Sequence, residues 1–342
     1  DADWSAGDGL LVPAFVDVHV HGGAGHDFMD ASEEAVEGVT RFHARNGTGS
    51  LLATTLSASG EEITSAIANI GRVKDPPREG CAEIIGIHLE GPYLAPARAG
   101  AQKPEALRDP DPAEVEAWLA AAPECRFLMT LAPERPGALA LIRQFRDRVT
   151  FSIGHTSASF LEAEEAVETG ARHFTHLFNA MSPLHHRDPG VVGAALLAQE
   201  ATAELIADGV HLHPATLRLA AASLGDRAVL VTDAIRAAGA PEGTFRLLDR
   251  DVVVRDGAVR LSDGTLAGSV LTMIDAVRNM VKLAGLRLEI VLPLATHVPA
   301  GVAGAGERKG SLRIGFDADL LILSPELTIR RCFLRGEEVA PG

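Results

Sequence analysis

Short apolar runs recur along the chain, each closed by polar or glycine-rich residues and followed by a longer stretch with apolar positions at helical spacing. The runs fall at 11–19, 49–53, 84–89, 127–131, 150–153, 173–175, 203–206 and 228–232, and their length and composition predict strands. Helical stretches separate them at 32–46, 61–73, 111–121, 137–145, 159–169 and 214–224, several opened by Ser, Asp or Pro at a start position. Eight strands in regular alternation with helices predict an α/β fold closed as a (β/α)8 TIM-like barrel.

The alternation breaks after about residue 239. The segment TFRLLDRDVVVRDGAVRLSDGT, residues 244–265, follows period two around Asp256-Gly257, which predicts a β-hairpin inserted before the next helix at 274–284. The run SLRIGFDADLLILSPELTIRRCFLRGEEV holds short alternating strands broken by Gly and Pro. The expected organisation is a barrel over 11–296 and a small β-domain made by the chain termini, 1–10 with 297–342. The opening DADWSAGDG has no Met and leads at once into an apolar run. Such an opening is expected of a processed or truncated start, with further strands of the small domain preceding Asp1.

Composition narrows the partners. A length of 342 residues suits a barrel plus a small domain, and 46% hydrophobic with 23% charged residues is the balance of a soluble globular protein. A formal charge of -15 argues against nucleic acid and anionic membranes, so an anionic substrate needs a local basic site. Cys81, Cys125 and Cys332 are far apart and lack CxxC spacing, which suggests neither a disulfide framework nor a cysteine metal site and fits a reducing cytoplasm. No apolar stretch is long enough to span a bilayer.

The polar residues of interest stand at strand ends: His19 and His21, Glu90, His155, His176 and Asp233. In a TIM barrel those ends converge on one face, where the βα-loops build active sites. The HxH of DVHVHGG puts two imidazoles on one side of a strand, able to bite one cation. An isolated pair is more often an ordinary core or surface pair, but three more ligand types follow at later strand ends. Glu90 in HLEGPYL is either a solvated loop acid or, with His155 and His176, a ligand for Zn2+ or Fe2+. Asp233 in LVTDA either caps a following helix or serves a hydrolytic metal site as general base and acid. Arg187 in SPLHHRDPG and His211 in IADGVHLHP are basic candidates that a solvated loop would also explain. No GxSxG, Walker or GxGxxG turn occurs in a strand-to-helix setting.

Taken together, PAFVDVHVHGG, GIHLEGPYL, SIGHTSA, THLFNAM, DPGVVGA, IADGVHLHP, LVTDA and DGTLAGSVLTM resemble the successive blocks of the N-acetylglucosamine-6-phosphate deacetylase family of amidohydrolases. The resemblance implies a principal divalent metal held by Glu90, His155 and His176, and a second made possible by His19 and His21 with Glu90 bridging. It implies Asp233 as general base and acid, Asn179, Ala180, Leu266 and Ala267 as substrate contacts, and Arg187 with His211 as binders of the sugar phosphate. Arg187 is then expected to reach across the interface of a homodimer. Where the family often has KGAH this chain has AGAQ, so Gln102 replaces the histidine that helps polarise the substrate carbonyl; Gln can donate a hydrogen bond but carries no charge.

The implied reaction removes the acetyl group of a phosphorylated amino sugar. Rival readings are an N-acetylgalactosamine-6-phosphate deacetylase, another amidohydrolase such as a D-aminoacylase, and a non-catalytic sugar-phosphate binding protein. Arg187 and His211 argue for a phosphate, and the intact ligand set with Asp233 argues for catalysis.

Overall fold

The computed structural model describes residues 7–340 and 342, so positions 1–6 of the expected small β-domain lie outside the described residues. Eight parallel strands form one sheet in chain order: Phe15–Val20, Thr48–Thr55, Glu83–Glu90, Phe127–Leu131, Val149–Ile153, Ala171–Phe174, Thr202–Ile206 and Ala228–Val231. The first and last strands meet through Asp233, whose N–H donates to His19 O at 2.9 Å, and through a parallel bridge between Val20 and Ala234. Thr232 adds its N–H and hydroxyl to the Asp17 carboxylate at 3.3 and 2.6 Å. The sheet thus closes nearly completely, and its strands are buried on both faces under the surrounding helices, as parallel sheets require.

The helices start where their caps say. Ser59 and Ser159 each accept from the N–H three residues on, while Glu62 and Glu162 reach back to the cap N–H, satisfying donors that the first turn leaves free. Gly190–Leu197 is a helix that the sequence pattern did not predict. Its residues are small or apolar and buried nearly all round, so no amphipathic period marks it.

The predicted strand 11–19 is two strands. Leu10–Pro13 pairs antiparallel with Leu320–Leu323, Ala14 N–H donates to Asp319 O at 2.9 Å, and only Phe15–Val20 belongs to the barrel. Apolar residues run without interruption from Leu10 to Val16, and Val12, Ala14 and Phe15 are buried on either side of the joint, so hydropathy alone gives no break. Among the described residues the terminal sheet has four strands, Leu10–Pro13 beside Leu320–Leu323, Ile329–Leu334 and Glu337–Val339. At the other boundary, His297–Val302 is a helix packed on the first and eighth barrel strands, so residues beyond 296 still cover the barrel.

The insertion is a three-stranded meander, Gly243–Leu247, Arg250–Arg255 and Ala258–Arg260. Asp256 and Gly257, with φ of 52° and 72°, form the two-residue turn that a twisted hairpin needs. Among the described residues no helix is long and apolar enough to cross a membrane.

Candidate functional site

The predicted ligands meet at the carboxyl ends of the barrel strands. His19 lies within the first strand, His21 just past it, and Glu90 is the last residue of the third. His155, His176 and Asp233 each stand two residues beyond the fifth, sixth and eighth strands, with φ of 47°, 30° and 48°. Left-handed backbone is costly for residues with a Cβ and persists where the surroundings enforce it. Here it turns each chain segment inward at the rim. Asp233 precedes no helix; Thr272 caps the next one, which removes the capping reading.

Two donor groups share this rim. Glu90 Oε1 lies 3.1 Å from His155 Nε2 and 3.2 Å from His176 Nε2, and those two nitrogens are 3.0 Å apart. Beside them, His19 Nε2 and His21 Nε2 are 3.2 Å apart and lie 3.4 and 3.3 Å from Asp233 Oδ1. Glu90 joins the groups, with Oε1 at 3.5 Å from His19 and Oε2 at 3.4 Å from His21.

These separations fit divalent cations. Ligands at about 2.0–2.1 Å around a tetrahedral Zn2+ stand about 3.3 Å from one another. Two imidazole nitrogens turned on one carboxylate oxygen, all in buried side chains, form one face of such a polyhedron.

The electrostatics lead the same way. Burial opposes the charged form of His19 and His21, yet Glu204, Asp233 and Glu90 around the first, and Asp233 and Glu90 around the second, hold them up at about 9 and about 10. Burial would raise Glu90, but His19, His155 and His176 hold it well below the carboxylate range. The cluster therefore draws positive charge, as protons or as metal.

The rim opens into a cavity of about 450 Å³. Gln102, Asn179, Ala180, His211 and Leu266 line it. Gln102 is anchored at both ends: its amide nitrogen donates to Glu90 Oε2, and its oxygen accepts the Ser57 N–H at 2.8 Å. His211 Nδ1 meets Asp208 Oδ2 at 2.6 Å, which leaves Nε2 for a ligand. Against the buried state of its carboxylate, Asp208 is lowered by His211. Ala267 is fully buried in the core of the insertion, and Leu266 and Gly268 are the neighbours that reach the cavity. Arg187 is exposed, beside His186, and does not line the cavity of its own chain.

Sequence reasoning passed over Arg98 and Arg260, two cavity-lining cations, and the buried Glu204 behind the rim. Arg98 ends a short 3-10 helix and Arg260 ends the third strand of the insertion, and neither stands in a motif. Glu204 had a signal, a lone acid inside the apolar strand ATAELIA, since a charge is almost never fully buried without a partner.

Comparison with known proteins agrees with this geometry. The model of the Amidohydrolase family matches residues 10–339. N-acetylglucosamine-6-phosphate deacetylase of Bacillus subtilis is 39% identical over 96% of this chain and 84% of its own. N-acetylgalactosamine-6-phosphate deacetylase of Escherichia coli O157:H7 is also 39% identical, over 96% of this chain and 87% of its own. A solved mutant N-acetyl-D-glucosamine-6-phosphate deacetylase from Mycobacterium smegmatis, in complex with N-acetyl-D-glucosamine-6-phosphate, superposes with a TM-score of 0.91 at 36% identity, covering 96% of this chain and 87% of that one. The chain belongs to the amidohydrolase family, within its group of N-acetylglucosamine-6-phosphate deacetylases.

Proposed function

We propose that this chain hydrolyses N-acetylglucosamine-6-phosphate to glucosamine-6-phosphate and acetate, with Zn2+ or Fe2+ held by Glu90, His155 and His176 and a second ion by His19, His21 and Asp233. One observation carries the reading: the Glu90, His155, His176 group and the Asp233 carboxylate line one cavity large enough for a sugar phosphate. When bound, a divalent cation supplies Lewis acidity that polarises an amide carbonyl and acidifies water. Asp233 takes the proton as water adds to the carbonyl carbon, and returns it to the nitrogen as the C–N bond breaks. Gln102 holds Glu90 through one amide N–H and has a second to offer the carbonyl oxygen. Asn179, Ala180 and Leu266 wall the sugar, with Ala267 backing that wall from the core.

His211, oriented by Asp208, receives the phosphate. Arg187 reaches it from a second copy of the chain, a role consistent with its exposure and its place outside its own cavity. The proposed form is a cytoplasmic homodimer, in keeping with three free cysteines.

Acetate release from N-acetylated glucosamine and galactosamine, each with and without the 6-phosphate, tests the reading. The phosphorylated gluco sugar is expected to turn over fastest. Faster release from the galacto epimer would support the second reading that the equally similar E. coli relative favours. Metal-loaded protein that releases acetate from neither phosphorylated sugar would overturn both.

A further inference from the structure

Behind the rim, on the seventh barrel strand Thr202–Ile206, Glu204 is fully buried and points both carboxylate oxygens at histidines. Its Oε2 lies 2.9 Å from His19 Nδ1 and accepts the His176 N–H at 2.9 Å. Its Oε1 lies 3.0 Å from His173 Nε2, and His173 Nδ1 is in turn 2.5 Å from Thr202 Oγ1. His88 packs edge-on against the His19 ring at 4.5 Å between centroids.

His19 is therefore held on the side away from the cation position. A carboxylate at Nδ1 keeps the proton there and turns the Nε2 lone pair toward His21 and Asp233. His21 has no such support, since among the described residues its buried Nδ1 has no hydrogen-bond partner. Of the two imidazoles in the HxH pair, one is braced and the other is aimed only by the strand.

We propose that Glu204, braced by His173, is the positioning residue that builds the second cation position. It fixes the tautomer and direction of the His19 ring, while at the Glu90, His155, His176 position it accepts the His176 main-chain N–H, a bond that Gln at 204 can still accept, and touches no ligating ring among the described residues. This rests on the metal reading of the His19, His21, Asp233 group given above. Losing an outer partner of a ligating histidine typically costs about 10- to 100-fold in metal affinity.

The test is chelator-competition titration of metal-free protein with Zn2+, alongside elemental analysis. Wild type is expected to take two equivalents and His19→Ala/His21→Ala one. Glu204→Gln should keep the tighter equivalent near its wild-type affinity and weaken the second about 10- to 100-fold. Two wild-type affinities in Glu204→Gln, with only a lower melting temperature, would make Glu204 a structural residue and overturn the proposal. A third equivalent lost with Glu204 would make it a ligand, with His19 and His88, and would also overturn it.

A single equivalent in wild type would remove the second position, and with it this proposal, while acetate release would still report separately on the deacetylase reading. If Glu204→Gln does not fold, the imidazole 15N spectrum of Zn2+-loaded wild type decides. His19 protonated at Nδ1 and bound to metal through Nε2 is expected, and the reverse refutes the brace.

Discussion

The strand Glu83–Glu90 begins in a half-buried carboxylate and ends in a buried one, and the two ends are neutralised in opposite ways. At the base of the barrel, Lys309 is 2% exposed and sets its ammonium 2.7 Å from Glu83, 2.7 Å from Asp317 and 2.6 Å from Asp319. Arg308 pairs with Glu83 and Asp317 from the outer side. That cluster carries its own cations on the chain and ties the barrel to the terminal sheet. At the rim, Glu90 and Asp233 face imidazoles whose positive charge must be drawn from solution as protons or metal.

Backbone conformation marks the same contrast. His155, His176 and Asp233 hold left-handed conformations, while Glu83, Lys309, Asp317 and Asp319 do not. Strain and uncompensated charge gather where chemistry is done, and complete pairing where the fold is held.

The largest break of the comparison comes at Glu90, the residue common to both donor groups. Glu90→Gln keeps the side chain's size and removes its charge, so both metal positions weaken together. Acetate release should fall about a thousandfold, equivalent to roughly 4 kcal/mol of lost stabilisation. Elemental analysis should show less than one equivalent, with the circular dichroism of the fold retained. Full metal content and turnover in the folded variant would refute the assignment.

At the other end of the strand, Lys309→Met should reverse the pattern. Removing one partner of a buried ion cluster leaves uncompensated charge and costs about 3–5 kcal/mol. Denaturant unfolding should register that loss, while the fraction that stays folded keeps its metal content. An unchanged unfolding midpoint would show that Arg308 alone neutralises the cluster.

The rim was legible because each of its residues stands at a strand end within a motif, and barrel topology brings such ends together whatever their distance in sequence. The supporting chemistry was not. Glu204 sits in an apolar run with no motif, and Lys309 in a segment whose periodicity gives no strand or helix. The joint at Ala14 was invisible because Val12 and Phe15, which belong to different sheets, are buried in one continuous core. Hydropathy reports that a residue is buried, not in which sheet.

pH separates the two clusters in metal-free protein. The folded-state pKa values of His19 and His21, about 9 and about 10, lie above the usual imidazole value near 6.5. Their stabilisation is thus complete below about 6.5 and is lost as pH rises through 9 and 10. Burial opposes the charge on Lys309, but Asp319 and Glu83 prevail and raise it above its ordinary 10.5, so the base keeps its contribution across that window. Unfolding free energy should therefore fall by a few kcal/mol, on the order of what such shifts imply, between about pH 6.5 and 10. Saturating Zn2+ should reduce the fall, because imidazoles bound to metal carry no proton to lose. A flat or rising profile for the metal-free protein would contradict the charge assignment at the rim.

A third source of positive charge would be another copy of the chain, and Arg187 tests it. If its guanidinium reaches the sugar phosphate, Arg187→Ala removes a charge-assisted contact worth about 1.5–3 kcal/mol, a rise in KM of roughly ten- to a hundredfold for the phosphorylated sugar. The unphosphorylated sugar, which has nothing for the arginine to hold, should turn over as poorly as before. Equal losses for both sugars would mean that the substitution disturbs the fold or the metal instead. The source of the arginine follows from mixing. Arg187→Ala chains supply an intact Asp233 and Asp233→Asn chains an intact Arg187, so hybrid dimers would contain one complete site and, at substrate well below the raised KM, exceed the activity of either variant alone. Failure to regain it, with subunit exchange shown independently, would place Arg187 outside the neighbouring site and leave His211 as the phosphate's principal partner.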